Sequence, residues 1–333
     1  MSRSLGKEIK AELSQGDADA AYKAVAAALR LGPTDVLLEI EMLPKGHAPS
    51  PGAYLLRDGP AVAFFKLGLV QAFVVARKVI RTHLDKTAHV LETDLNDATA
   101  VALLMDPEFL TAANIRKRLL WARLFDPDEL RRQIAREQRV VDSLLTSRLH
   151  RHTKSPTLWN HRRWLLELAE EHGVTANMVH DLTTIVMVAG DRHPRNYYAW
   201  SHARYIVTLP SADGPSLDQR VLPAVKDWCF RHHTDISGWS FLHYLLGLRI
   251  SSDPTVATAI FEETIRLAIS LRWANESVWT FLRTMVASRL VGNAEHAAFL
   301  TAAESLGKTA RDPDHVRVLE QAVTWCNTYR VET

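Results

Sequence analysis

Cysteine is scarce in this chain. Cys229 and Cys326 are the only two in 333 residues, too few for a disulfide framework, and packed thiols in a reducing compartment are the natural reading. An excess of one charge is also missing. Lysine and arginine number 40 against 38 aspartates and glutamates, a formal net charge of +2, so nothing in the composition calls for nucleic acid. Long apolar runs are absent too. The most apolar stretch, Pro60 to Ala76, is broken by Lys66 and Gln71 and followed by Arg77 and Lys78, too short and too charged to span a membrane. The opening MSRSLGKEIKAEL lacks the apolar core of a secretory signal, and a cytoplasmic location is expected. There is no G-x-G-x-x-G, no glycine loop leading into a phosphate-binding lysine and no G-x-S-x-G elbow, so no self-contained catalytic centre is visible. Histidines are plentiful at 15, but the densest groupings, His150/His152 and His232/His233, do not face one ligand position, and no cysteine or carboxylate completes a set. No metal is expected in this chain.

What the sequence does contain is a repeat. Segments beginning at Ala113, Trp159, Trp200, Trp239 and Trp279 follow one template, with starts 46, 41, 39 and 40 residues apart, a period typical of stacked helical hairpins. Four begin with tryptophan, and each has a basic-type residue four positions on: Lys117, Arg163, Arg204, His243 and Arg283. Positions +6 and +7 are apolar in all five, from Leu119/Leu120 to Met285/Val286. In a helix +3, +4 and +7 share a side with position 0, so the tryptophans are expected to be structural, in one buried stripe. The basic residue is expected inside that stripe, bonded to carbonyls or a carboxylate of a neighbouring helix, because an isolated buried charge is costly.

The remaining pattern predicts helices throughout. A first amphipathic helix is expected over 17–31, ended by Gly32-Pro33, then a Pro/Gly-punctuated surface loop over 44–60. Helices over 61–84 and 95–105 lead into the first repeat, and partner helices are expected near 127–149, 174–190, 216–232 and 254–271, with connections carrying Pro156, Pro194, Pro210 and Pro254. Closing helices fall near 294–307 and 312–329. No run alternates with a two-residue period, so no sheet is predicted. The fold class is all-α: a superhelical crescent of antiparallel hairpins in one domain over 1–333, with N-terminal helices and loop over 1–90, five repeats over 91–290 and capping helices over 291–333.

Polar residues in the turns before the template helices lie at hairpin ends. Lys154 stands five before Trp159 in TKSPTLW, and Asn196 and Tyr197 stand four and three before Trp200 in RNYYAW. A lysine and a tyrosine from successive hairpins could together face an anion, as point charge and hydroxyl donor.

At RNYYAW and KSPTLWNHRRWLLEL the chain resembles the α subunits of the protein prenyltransferases, whose repeat centres on Asn-Tyr, two residues, Trp, two residues, Arg and two leucines. LLMDPEFLTAANIRKRLL is similar to that family's first repeat, and with the KSP form of the second it points to the repeat-containing branch associated with type III geranylgeranyltransferase. The resemblance spans about residues 90 to 290. It implies an α subunit set against a separate α-α barrel β subunit that carries the zinc and the isoprenoid pocket. It also implies that Lys154 lies near the isoprenoid diphosphate and that Tyr197 lines the active site, with Thr157, Asn196, Arg163 and Arg204 meeting substrate and Trp159, Trp200, Trp239 and Trp279 holding the repeats. Thr157 stands where the farnesyl enzymes carry a glutamine that meets the substrate C-terminus, and repeats four and five lack the arginine at +3. The expectation is therefore geranylgeranyl transfer from geranylgeranyl diphosphate to a C-terminal cysteine of a protein substrate, by a heterodimer whose α chain is inactive alone. The alternative is a helical-repeat scaffold that binds a protein partner without lipid chemistry. No nucleic acid and no membrane insertion are expected.

Overall fold

A computed structural model describes residues 17–32, 36–43, 53–209, 220–249 and 254–330. It is mostly helical. The helices are α1 (Ala18–Leu29), α2 (Lys66–Asp85), α3 (Glu92–Met105), α4 (Leu110–Trp121), α5 (Pro127–Leu145), α6 (His150–Thr153), α7 (Pro156–Glu171), α8 (Met178–His180), α9 (Met187–Arg192), α10 (Tyr197–Ile206), α11 (Leu222–Arg231), α12 (Ile236–Arg249), α13 (Pro254–Leu271), α14 (Glu276–Ala287), α15 (Asn293–Thr309) and α16 (Pro313–Tyr329). Between α8 and α9 the segment Asp181–Val186 winds as a π-helix. No described helix is long and apolar enough to cross a membrane.

The five template helices are α4, α7, α10, α12 and α14, and four of them start by one device. The residue four before the tryptophan caps the helix: the side chains of Ser155, Asn196, Asp235 and Asn275 accept from the backbone N–H groups of Leu158, Ala199, Gly238 and Val278 at 3.1 to 3.2 Å. α4 departs from this, because Phe109 stands at the cap position and offers no side-chain acceptor. Trp159, Trp200, Trp239 and Trp279 are all buried. Three of their indoles donate to the carbonyl six residues back, at Thr153, His233 and Trp273, which ties each helix to the turn before it.

The described residues fall into two compact units. The first holds 17–176 and 184–193; the second holds 177–183, 194–209 and 220–330. In the first, α1, α2 and α3 pack on one another, α4 packs on α3 and α7, and α5 lies against α7. In the second, template helices pack on template helices, α10 on α12 and α12 on α14, while α13 packs on α15 and α16 lies against α14 and α15.

A sheet, not predicted, is present in the first unit. Strands β1 (Glu39–Leu43), β2 (Leu55–Asp58) and β3 (Ala61–Phe65) take the order β1-β3-β2, with β1 parallel and β2 antiparallel to β3. The expected helix over 61–84 therefore begins at Lys66, and the expected loop holds β2. Val62, Ala63, Phe64 and Phe65 are all buried, so β3 shows the unbroken apolar run of a strand covered on both faces, which periodicity does not separate from a helix. Gly59, at φ 54, and Pro60 form the two-residue turn, with Asp58 paired to Ala61. The rest of the expected loop, 44–52, and the connection at Pro210 lie outside the described residues.

Candidate functional site

Lys154 and Thr157 stand where α6 turns into α7. Ser155 caps α7, donates its hydroxyl to the Pro107 carbonyl and is followed by Pro156 at the first helical position, so KSP is a helix start fixed from both sides. Lys154 ends α6, where its backbone N–H donates to the His152 carbonyl, and its exposed ammonium has no hydrogen-bond or ion-pair partner among the described residues. Thr157 is engaged: its hydroxyl donates to a carboxylate oxygen of Glu108 at 2.6 Å.

In the second unit, Tyr197 opens α10 and is 69% exposed, while Asn196 is 1% exposed and serves as the helix cap. Two turns on, Arg204 is half-buried, its guanidinium donating to Ser240 Oγ at 2.9 Å and lying 5.5 Å from the Tyr244 ring centroid. No carboxylate pairs with it among the described residues. Burial lowers its pKa from the ordinary arginine value, partly offset by the Tyr244 and Tyr197 phenols. Tyr197, Ser201, Arg204, Ser237 and Ser240 surround a pocket of about 330 Å³ closed at one side by Trp200 and Ile236. The Trp200 indole N–H is buried and has no acceptor, unlike those of Trp159, Trp239 and Trp279. One uncompensated cation and several hydroxyls make a site suited to an anion or a peptide carbonyl.

The basic residues at +4 are not where the stripe argument puts them. Arg163 is exposed and pairs with Glu167 along its own helix at 2.9 Å, and Lys117, Arg204, His243 and Arg283 are only half-buried. The buried arginines are at +3: Arg116 and Arg162, 5% and 1% exposed. At 100° per residue, +3 turns toward the partner helix and +4 turns the other way, to the rim. There the +4 cation meets aromatic rings. Lys117 lies 4.9 Å from the Trp164 centroid and Arg204 lies over Tyr244, and both rings stand at +5 of the following repeat. Arg283 lies 4.7 Å from Trp325 of α16. Aromatic residues at +5 in Trp164, Tyr205 and Tyr244 were the signal available in the sequence.

A model of the protein prenyltransferase alpha subunit repeat matches residues 143–169, which hold Lys154, Thr157, Trp159 and Arg163. Residues 143–169 are thus similar to that repeat. A model of the ECM9 middle domain matches residues 158–271. Among curated proteins, the chain is 29% identical over 170 residues to the protein prenyltransferase alpha subunit repeat-containing protein 1-B of Xenopus laevis, covering 46% of this chain and 37% of that protein. It is 25% identical over 190 residues to the repeat-containing protein 1 of Homo sapiens, covering 52% and 44%. It is also 26% identical over 190 residues to the protein ECM9 of Saccharomyces cerevisiae, covering 55% and 48%. The chain thus spans less than half the length of each of these relatives.

In the first two template helices the +3 arginine is a structural anchor. Arg116 donates from Nε to Glu137 Oε1 at 2.8 Å and from Nη1 to the Asn96 carbonyl and Thr99 hydroxyl, while His161 Nε2 meets the same Oε1 at 2.8 Å. Arg162 donates to Asp142 at 2.7 Å. Burial raises the Glu137 pKa, but Arg116 and His161 outweigh it and hold the carboxyl well below the usual carboxylate range. The histidines are likewise occupied. His152 is buried against the carbonyls of Leu103 and Leu104, His150 meets the His193 ring, and His232 and His233 stack on Trp228 and Trp273. Among the described residues no group of three or more His, Cys, Asp or Glu could hold a metal ion.

Proposed function

We propose that this chain is the α subunit of a cytoplasmic heterodimeric protein prenyltransferase, helping to transfer a geranylgeranyl group from its diphosphate to a C-terminal cysteine of a protein substrate. The observation that carries the reading is the match to the prenyltransferase repeat over 143–169 together with the anion-suited pocket at Tyr197 and Arg204. Lys154, exposed and unpaired, supplies a positive charge toward the diphosphate, where charge grows as the carbon–oxygen bond breaks. Tyr197 supplies a hydroxyl donor, and Arg204 orients an anionic part of the substrate. Zinc and the isoprenoid pocket belong to a β subunit. Co-purification from the native source tests this: a stable zinc-containing partner is expected, with no stoichiometric zinc on the single chain. One tightly held zinc per isolated chain overturns the division of labour.

A second reading, a helical scaffold without lipid chemistry, is favoured by the engagement of Thr157 with Glu108 in place of a free substrate contact. A stable complex with a partner that binds no zinc selects it.

A further inference from the structure

A second cavity lies elsewhere, between α1, α3, α4 and α5 of the first unit, and measures about 870 Å³. Its size is within the range of pockets that take small organic ligands. Its lining mixes two chemistries. Ala26, Leu29, Ala100, Leu119, Leu120 and Val140 are apolar. Four arginines, Arg30, Arg116, Arg123 and Arg136, stand with three carboxylates, Glu92, Asp97 and Glu137.

The carboxylates are all spent. Arg30 pairs with Asp97, Arg116 with Glu137 and Arg123 with Glu92. Among the lining residues that leaves one positive charge over, Arg136, which is exposed and makes no hydrogen bond or ion pair with a described residue, Glu129 outside the lining acting on it only at longer range. A donor of the same lining is also unused, since Arg123 gives Nη2 to Glu92 while its Nε is buried without an acceptor. An unfilled buried donor costs free energy that a bound acceptor restores.

We propose that this cavity binds a small amphipathic monoanion, an aliphatic chain against the apolar lining residues with a carboxylate head held by Arg123 Nε and Arg136. A single excess charge favours a carboxylate over a multiply charged phosphate head. The site is independent of the transferase reading.

The test is fluorescence titration of the full chain with dansylaminoundecanoate, displaced by laurate or dodecanol below micelle-forming concentrations. Saturable one-to-one binding is expected, with dodecanol at least about tenfold weaker than laurate, the equivalent of one charge-assisted contact. Arg136→Gln, a surface change, is expected to weaken laurate about tenfold and to leave dodecanol unchanged. Leu119→Trp is expected to block both ligands. Non-saturable binding, equal affinity for laurate and dodecanol, or an Arg136→Gln protein that binds laurate normally overturns the proposal. Stronger displacement by an acidic peptide than by laurate also overturns it, in favour of a protein partner.

Discussion

The two units use one repeat template with two different cores. In the first, positions +2 and +3 of the second repeat are His161 and Arg162, and +3 of the first is Arg116, all built into buried ion pairs with Glu137 and Asp142. In the second unit the fourth and fifth repeats place Phe241/Leu242 and Phe281/Leu282 at the same positions. There each tryptophan meets the next layer's ring: Trp200 and Phe241 at 5.4 Å, Trp239 and Phe281 at 4.8 Å, Trp279 and Phe299 at 5.4 Å. A buried ion pair is costly to desolvate and fails badly when one partner is lost, whereas an aromatic core of tilted rings fails by leaving a cavity or by being overfilled. The difference teaches that the repeat specifies a packing direction, and that either chemistry can fill it.

The sharpest way to break the first core is Glu137→Ala, which strands Arg116 and His161 in the interior. A loss of about 3–5 kcal/mol is expected in denaturant unfolding. A loss under about 1 kcal/mol contradicts the role given to this network.

Acid should separate the units next. Burial pushes the His152 pKa down to about 4 from an ordinary 6.5, so the folded state holds this ring neutral. Its contribution is fully present above pH 6.5 and is lost as pH falls toward 4, because the unfolded chain binds the proton first. The slope is about 1.4 kcal/mol per pH unit, about 3 kcal/mol in all. Glu137, depressed by Arg116 and His161, adds a second loss below the usual carboxylate range. Unfolding midpoints measured from pH 7 to pH 4 should fall in the wild type and fall less in His152→Gln; parallel curves sink the assignment.

A smaller effect tests the aromatic core. A Cβ at Gly238 would lie 2.4 Å from Cζ3 of Trp228, so Gly238→Ala displaces the Trp228 ring from its edge-on contact with Trp200 at a cost of about 1–3 kcal/mol. Thermal unfolding reads it. Smallest of all, Arg204→Met removes the contact with Tyr244 and should cost about 0.5–1 kcal/mol, since the guanidinium is half-exposed.

Much of the fold could be read from the amino-acid sequence because its signals are local. Tryptophan spacing located the template helices, and Pro127, Pro156 and Pro313 fall at helix starts where a missing N–H costs nothing. The sheet was not legible, since β3 is a short apolar run buried along its length and its parallel partner β1 lies 22 residues away, Glu39 against Ala61. In the candidate site, the turn positions of Lys154 and Tyr197 were visible, but the fate of their neighbours was not. Whether Asn196 meets a ligand or caps its own helix, and whether Thr157 is free or held by Glu108, depends on contacts the repeat does not encode. The choice between +3 and +4 for the buried arginine turned on which way each helix faces its partner, a tertiary property.

The central claim is that Lys154 serves transfer without serving the fold. Single-turnover geranylgeranyl transfer to a cysteine-terminated protein, measured on a purified complex with the proposed zinc-carrying β subunit, tests it most directly. Lys154→Ala is expected to assemble normally and to slow transfer by about 10²–10³, the loss typical of one fixed electrostatic contact in a transition state, with Tyr197→Phe milder. An unchanged rate for Lys154→Ala would make this lysine a solvated turn residue and contradict the catalytic part of the account.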